Sequence, residues 1–306
     1  MQAERSELIP LVLVTGFLGA GKTTLMQGLA QRRRLLMVVN EFAPRDIDSL
    51  RLEAAEGELY PIAGGSIFCR CKVQDFISAL EQIAACWDQR PGLDGVAIEA
   101  SGIADPRVAA RMLTEAKLDD RFTLRRVLCV VDPSSCSKLL TTLPNIAHQI
   151  AAADTVLINH CDRHDEASLA ACERSVRELA PEATVVRTSH CAIELDPLAP
   201  ACPVAIGGEY AGCADPNYAV ADGAPPKPLD WPRLRTALDE HAASLYRIKG
   251  NLATTQGVRC LDFAGGVWHD SASDAEPGTL VLIGAGSASA ALNDLAYGIR
   301  SGRYCD

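Results

Sequence analysis

The most specific chemistry in the chain lies in Gly16-Phe17-Leu18-Gly19-Ala20-Gly21-Lys22-Thr23, which fits G-x-x-x-x-G-K-[ST] without a mismatch. Gly16, Gly19 and Gly21, with Ala20 between the last two, let the backbone turn its N–H groups inward around phosphate oxygens. The loop opens a predicted helix, whose N-terminal dipole favours anions. Lys22 would reach the β- and γ-phosphates and the Thr23 hydroxyl would ligate Mg²⁺, with Thr24 beside it in the phosphate-contacting set. The expected ligand is a nucleoside triphosphate.

Such a loop needs a second carboxylate near the metal, at the end of a later strand. "GVAIEASGIADP" supplies Glu99 after an aliphatic run, with Gly102 three residues on. A glycine there lets an N–H approach the γ-phosphate with no Cβ in the way. Lys22, Glu99 and Gly102 are therefore the expected catalytic set. The polar turn in "VVNEFAPRDID" holds Asn40, Glu41, Asp46 and Asp48, a suitable place for a segment that orders and relaxes with the nucleotide. Of 12 cysteines, most sit singly in apolar runs, as Cys129 and Cys260 do, and read as small buried hydrophobes. Cys69 and Cys71 in "SIFCRCK" form the one close pair, which in a cytosolic chain is a metal or redox site rather than a disulfide.

Positioning these residues requires a scaffold. The runs "LVLVTG", "LLMVVNEF", "GVAIEASG", "RRVLCVVD", "TVLINHCD" and "ATVVRTS" alternate with helical stretches such as "TTLMQGLAQRR" and "EASLAACERSVRELA". Continuous apolar strands with helices between them specify a doubly wound, mainly parallel α/β sheet over residues 1–195. Residues 196–230, rich in Pro, Gly and Ala without sustained periodicity, read as a linker. Residues 231–306 read as a smaller α+β domain: a helix over "WPRLRTALDEHAASLYRIKG", strands in "VRCLDFAGG" and "TLVLIGAG", and a closing helix in "ALNDLAYGIRSG".

The formal charge of -10 argues against a nucleic-acid partner. No run approaches a membrane span and the start lacks a signal-peptide pattern, so a cytoplasmic protein is expected.

Taken jointly, "GFLGAGKTT", "VNEFAPRDID", "GGSIFCRCKVQDF", "AIEASGIADP", "VVDPSSC", "HQIAAADTVLINHCD", "LYRIKGNL" and "LVLIGAG" resemble the CobW-like GTPases, relatives of the UreG and HypB metal-insertion GTPases of the SIMIBI class. The resemblance implies a P-loop GTPase domain followed by a CobW-type C-terminal domain. It implies a metallochaperone using GTP/GDP and Mg²⁺ and delivering Zn²⁺, or Co²⁺, to a client metalloprotein; relatives often dimerise. Asn159 and Asp162 carry over as guanine readers, the carboxylate accepting N1–H and N2–H₂, a donor pair adenine does not offer. Intrinsic turnover is expected to be slow, since the motifs hold no evident arginine finger beyond Arg45.

The chain departs from the family pattern twice. His160 stands where the lysine of Asn-Lys-x-Asp would lie, which leaves GTP favoured and ATP open. Ser66 and Phe68 fall where two cysteines of the usual C-x-C-C would be, leaving Cys69 and the displaced Cys71. Two thiolates two residues apart can share one ion, with Glu41 the best third ligand. Two rivals follow: a GTPase switch that remodels a partner without metal, and a P-loop kinase of a small molecule, against which "NHCD" speaks.

Overall fold

The structure, a computed structural model, describes residues 8–41, 58–63, 73–102, 104–201, 218–264 and 266–305. The chain divides into two compact units, Met1–Cys213 and Ala214–Asp306.

In the first unit, strands β1 (Ile9–Gly16), β2 (Leu35–Glu41), β3 (Glu58–Ala63), β4 (Gly95–Glu99), β5 (Phe122–Val131), β6 (Thr155–Ile158) and β7 (Thr184–Arg187) form one sheet in the order β3-β2-β4-β1-β5-β6-β7. Every pairing is parallel. Helices α1 (Lys22–Ala30), α2 (Val73–Ala85), α3 (Ala109–Glu115), α4 (Pro133–Thr142), α5 (Pro144–Ala151) and α6 (Glu166–Leu179) make the crossovers among the described residues. On one face Val12 and Val14 of β1 pack with Leu25, Met26 and Leu29 of α1. On the other, Leu11, Leu13 and Ile98 meet Phe76 and Leu80 of α2 and Met112 of α3. A strand buried on both faces is why "LVLVTG" reads as an unbroken apolar run. The expected doubly wound architecture is what the chain adopts.

Strand β3 has no counterpart in the sequence reading. Its Pro61 argues against a central strand, and β3 is at an edge of the sheet, where a missing N–H is tolerated.

The second unit is an antiparallel sheet of β8 (Tyr218–Gly223), β9 (Leu245–Thr254), β10 (Gly257–Ala264), β11 (Val267–Ala272) and β12 (Leu280–Ala285), in the order β11-β10-β9-β12-β8. Its core joins Ile248, Leu252, Leu261, Phe263 and Leu282 to Leu234 and Leu238 of α7 (Trp231–Asp239) and Leu292, Leu295 and Ile299 of α8 (Ser289–Arg300). Two expectations change here. Strand β8 lies within residues 196–230, where composition suggests only a linker; its Ala219 and Ala221 are buried and Val220 is exposed, the alternation of a half-covered strand. The helix expected through "LYRIKG" ends at Asp239, and that segment becomes β9 because β10 and β12 pair with it on either side. Cys260 is half-buried rather than core, since it alternates with buried Leu261 and points to the other face.

Candidate functional site

Of the residues named from the sequence, Lys22, Thr23, Glu99, Asn159 and Asp162 lie just beyond or at the C-terminal ends of β1, β4 and β6, where doubly wound sheets place their ligands. Strand β1 ends at Gly16, and Gly19 and Ala20 lead to Gly21, the N-cap of α1, whose φ of 115° is left-handed backbone suited to glycine. A Cβ on Gly21 would also stand 2.5 Å from Asn159 Nδ2 and 3.0 Å from Cys191 Sγ, so no larger residue fits. Helix α1 has no side-chain cap and no acidic residue in its first turn, which leaves its first N–H groups and its dipole to an anion.

Lys22 opens the helix and is buried, its Nζ donating to the Phe17 carbonyl at 3.2 Å. Thr24 is exposed in the same turn. Thr23 Oγ1 lies 3.3 and 3.4 Å from the two carboxylate oxygens of Glu99, itself buried at the end of β4. These are hard oxygen donors suited to Mg²⁺; neighbouring corners of an octahedron with bonds of about 2.1 Å lie about 3 Å apart, close to the spacing seen. Gly102 stands against the phosphate loop: a Cβ there would be 2.8 Å from the Leu18 amide nitrogen.

In the segment expected to read the base, Asn159, His160 and Asp162 of "NHCD" have separate surroundings. Asn159 is buried and acts as a brace: Nδ2 donates to the Ala20 carbonyl at 2.8 Å and Oδ1 accepts the Cys191 N–H at 2.9 Å. Cys191 Sγ donates in turn to the Gly21 carbonyl at 3.3 Å, and burial pushes this thiol up to about 12. It is a packing group rather than a thiolate at neutral pH.

Asp162 is exposed, and a hydrogen bond from the Ser189 hydroxyl, ahead of the charges of Arg163 and His190, holds its carboxyl below the usual range. An ionised, accessible acceptor results.

His160, in left-handed backbone at φ 59°, turns its Nδ1 to Asp132 Oδ2 at 2.9 Å. Asp132 follows β5 and caps α4 through Ser134, and His164 Nε2 lies 3.5 Å from its other oxygen. Burial alone would raise the Asp132 pKa, but the His160 and Ser134 hydrogen bonds outweigh it and hold it at about 2.

Ser189, Cys191, Asp132 and His164 were not picked out from the sequence as site residues. A signal existed: "TSHC" follows the last parallel strand and "VVDP" ends β5, both at the ligand-bearing edge.

Cys69 and Cys71 lie outside the described residues, as do Asp46 and Asp48, while Glu41 is the last residue of β2. Among the described residues no group of three or more His, Cys, Asp or Glu could hold a metal ion. No described helix is long and apolar enough to cross a membrane.

Residues 10–187 match the family model described as CobW/HypB/UreG, nucleotide-binding domain, and residues 224–296 match the cobalamin synthesis protein cobW C-terminal domain. A zinc chaperone CobW of Pseudomonas aeruginosa is 29% identical over 212 residues, covering 58% of this chain and 56% of that protein. A zinc-regulated GTPase metalloprotein activator 1 of Schizosaccharomyces pombe is 28% identical over 193 residues, 60% of this chain and 46% of that one. The chain thus spans about half the length of the curated relatives it matches. The Zn(II)-bound YjiA GTPase from E. coli superposes with a TM-score of 0.47 at 18% identity, over 96% of this chain and 100% of that one, a likeness that carries no functional argument.

Proposed function

Since the chain belongs to the CobW/HypB/UreG nucleotide-binding family, we propose that it is a Mg²⁺-dependent GTPase that couples its nucleotide state to holding Zn²⁺, or Co²⁺, and delivering it to a client metalloprotein. The observation that carries the reading is the meeting of Thr23 and Glu99, 76 residues apart in sequence, at 3.3 Å beside the phosphate loop.

Lys22 would exchange the Phe17 carbonyl for phosphate oxygens, a stronger charge-assisted pairing. Thr23 and Glu99 would hold Mg²⁺, which when bound neutralises charge on the β- and γ-phosphates. Gly102 presents backbone without a Cβ to the γ-phosphate side. Asp162 would accept the two guanine donors while Asn159 locks the base loop to the phosphate loop. Cys69, Cys71 and Glu41 are the proposed ligands for the transferred metal, an open set suited to handing the ion on. By linkage, metal then alters GTP affinity by the same factor as GTP alters metal affinity. A cytoplasmic setting belongs to this reading, and so does a homodimer.

The test is calorimetric titration of Zn²⁺ and Co²⁺ into the protein, with and without Mg²⁺ and a non-hydrolysable GTP analogue. One-to-one binding that shifts with nucleotide and disappears in a Cys69→Ser/Cys71→Ser variant is expected. Binding that ignores the double substitution, or no binding, would favour the second reading, a GTPase switch that remodels a partner without metal. Ser66 and Phe68 in place of two cysteines are the observation on its side.

A further inference from the structure

Between β4 and α3 the chain passes the phosphate loop in a tight turn: the Ala104 N–H donates to the Ser101 carbonyl at 2.9 Å, with Gly102 inside the turn. This turn is gripped from α5. Gln149 is 1% exposed, and its Nε2 donates to the Gly102 carbonyl at 3.2 Å and to the Ala104 carbonyl at 2.9 Å. Two carbonyl oxygens facing one end of the amide settle which end is NH₂.

Gln149 Oε1 is buried and accepts no hydrogen bond among the described residues. A glutamine kept in an apolar helix face with one pole unsatisfied is unfavourable for packing alone, so its use lies in the donor pole.

The preceding residue grips the same segment further on. Asp105 is buried, takes the Arg107 guanidinium at 2.7 and 3.1 Å, and lies 3.1 Å from His148 Nδ1. His148 Nδ1 is also 2.8 Å from Arg107 Nη2. Helix α5 thus holds the Gly102 and Ala104 carbonyls through Gln149, while His148 Nδ1 faces the Asp105–Arg107 pair, where it accepts from Arg107 or donates to Asp105 according to its tautomer.

We propose that Gln149 is a positioning residue that fixes the Gly102 peptide and so makes the site discriminate a nucleoside triphosphate from a diphosphate. A peptide unit is planar, so pinning its carbonyl fixes the orientation of the whole unit. Gly102 rests on the Leu18 amide of the phosphate loop, at the side where a third phosphate would arrive. Gln149 touches the turn, through the Gly102 and Ala104 carbonyls, and acts on a ligand only through it. The inference rests on the GTPase reading for the identity of the nucleotide.

The experiment is fluorescence titration of the full chain with labelled GDP and a labelled non-hydrolysable GTP analogue, with Mg²⁺, for wild type and Gln149→Met. Methionine keeps the length and loses both donors. The expected result is affinity for the triphosphate analogue lowered about tenfold, with GDP affinity within about twofold of wild type. Equal weakening of both nucleotides, or of neither, would overturn the proposal, because a purely structural glutamine moves both together.

Should Gln149→Met not fold, Gln149→Leu removes the same two donors with a smaller apolar side chain and is expected to shift the same ratio the same way. An unchanged ratio there overturns the proposal too. If wild type binds no guanine nucleotide, the GTP reading fails and not this one, and the same ratio is then measured with ADP and a non-hydrolysable ATP analogue.

Discussion

The two units differ in what they bury. Beside its apolar core the parallel sheet buries Thr15, Lys22, Glu99, Ser101, Asp105, Gln149, Asn159 and Thr188 at or beyond the C-terminal ends of strands or on α1 and α5 beside them, with Thr155 at the start of β6 the exception among the described residues. The antiparallel sheet buries a continuous set of aliphatic residues under α7 and α8, with Lys249 and Thr254 the polar exceptions among the described residues. Burying polar groups is unfavourable unless each finds a partner, so their concentration beside the phosphate loop supports placing the proposed site there. The second unit spends its interior on packing. The same class of substitution should therefore be read out differently in the two units.

The largest effect is expected in the apolar unit. Phe263→Ala empties a position that is 1% exposed and should destabilise the protein by about 3–5 kcal/mol in urea unfolding, while nucleotide affinity measured on the folded fraction stays unchanged. A matching loss of affinity would erase the contrast between the units.

Glu99→Gln should do the reverse: GTP turnover about 100-fold lower, with a melting temperature close to wild type, since the amide keeps the volume and loses the charge needed beside Mg²⁺. A variant that melts early and turns over normally would move Glu99 into the structural class.

The smallest effect sharpens the comparison within the parallel unit. The Asp132 pKa, about 2, lies below its unfolded value of about 3.9, so its contribution is full above pH 4 and is lost as pH falls toward 2. Asp132→Asn should cost about 2 kcal/mol at pH 7 and little at pH 2, measured as chemical denaturation at both values. An equal cost at both would mean that the His160 and Ser134 hydrogen bonds do not depend on the charge.

Much of the phosphate end was legible because its information is local. A glycine-rich loop, a lysine and a threonine within one turn define their own geometry, and a strand before them and a helix after them follow from apolar runs and spacing. The end proposed to read the base was legible only in outline. Asn159 was expected as a guanine reader, and its two polar atoms also tie it to Ala20 and Cys191, residues 139 and 32 positions away. His160 stands where the family pattern has a lysine, and its ring meets Asp132. Neither partner could be chosen from the sequence, since no spacing rule relates the end of β5 to the end of β6.

The same limit appears in the second unit. Helix propensity carried the reading of residues 231–250 past Asp239, but pairing to two strands overrode it. Strand β8 was hidden because Ala219 and Ala221 are weak hydrophobic signals in a segment of turn formers.

The sequence by itself determined the phosphate loop, the parallel class of the first sheet and the candidate ligands, because these depend on contacts within a few residues. Tertiary structure alone decided that Glu99 meets Thr23, that Asn159 braces the phosphate loop, and that Gln149 grips the turn at Gly102. Those meetings follow from the strand order β4-β1-β5-β6, which is set by the packing of whole elements against one another and is written in no single stretch of the chain.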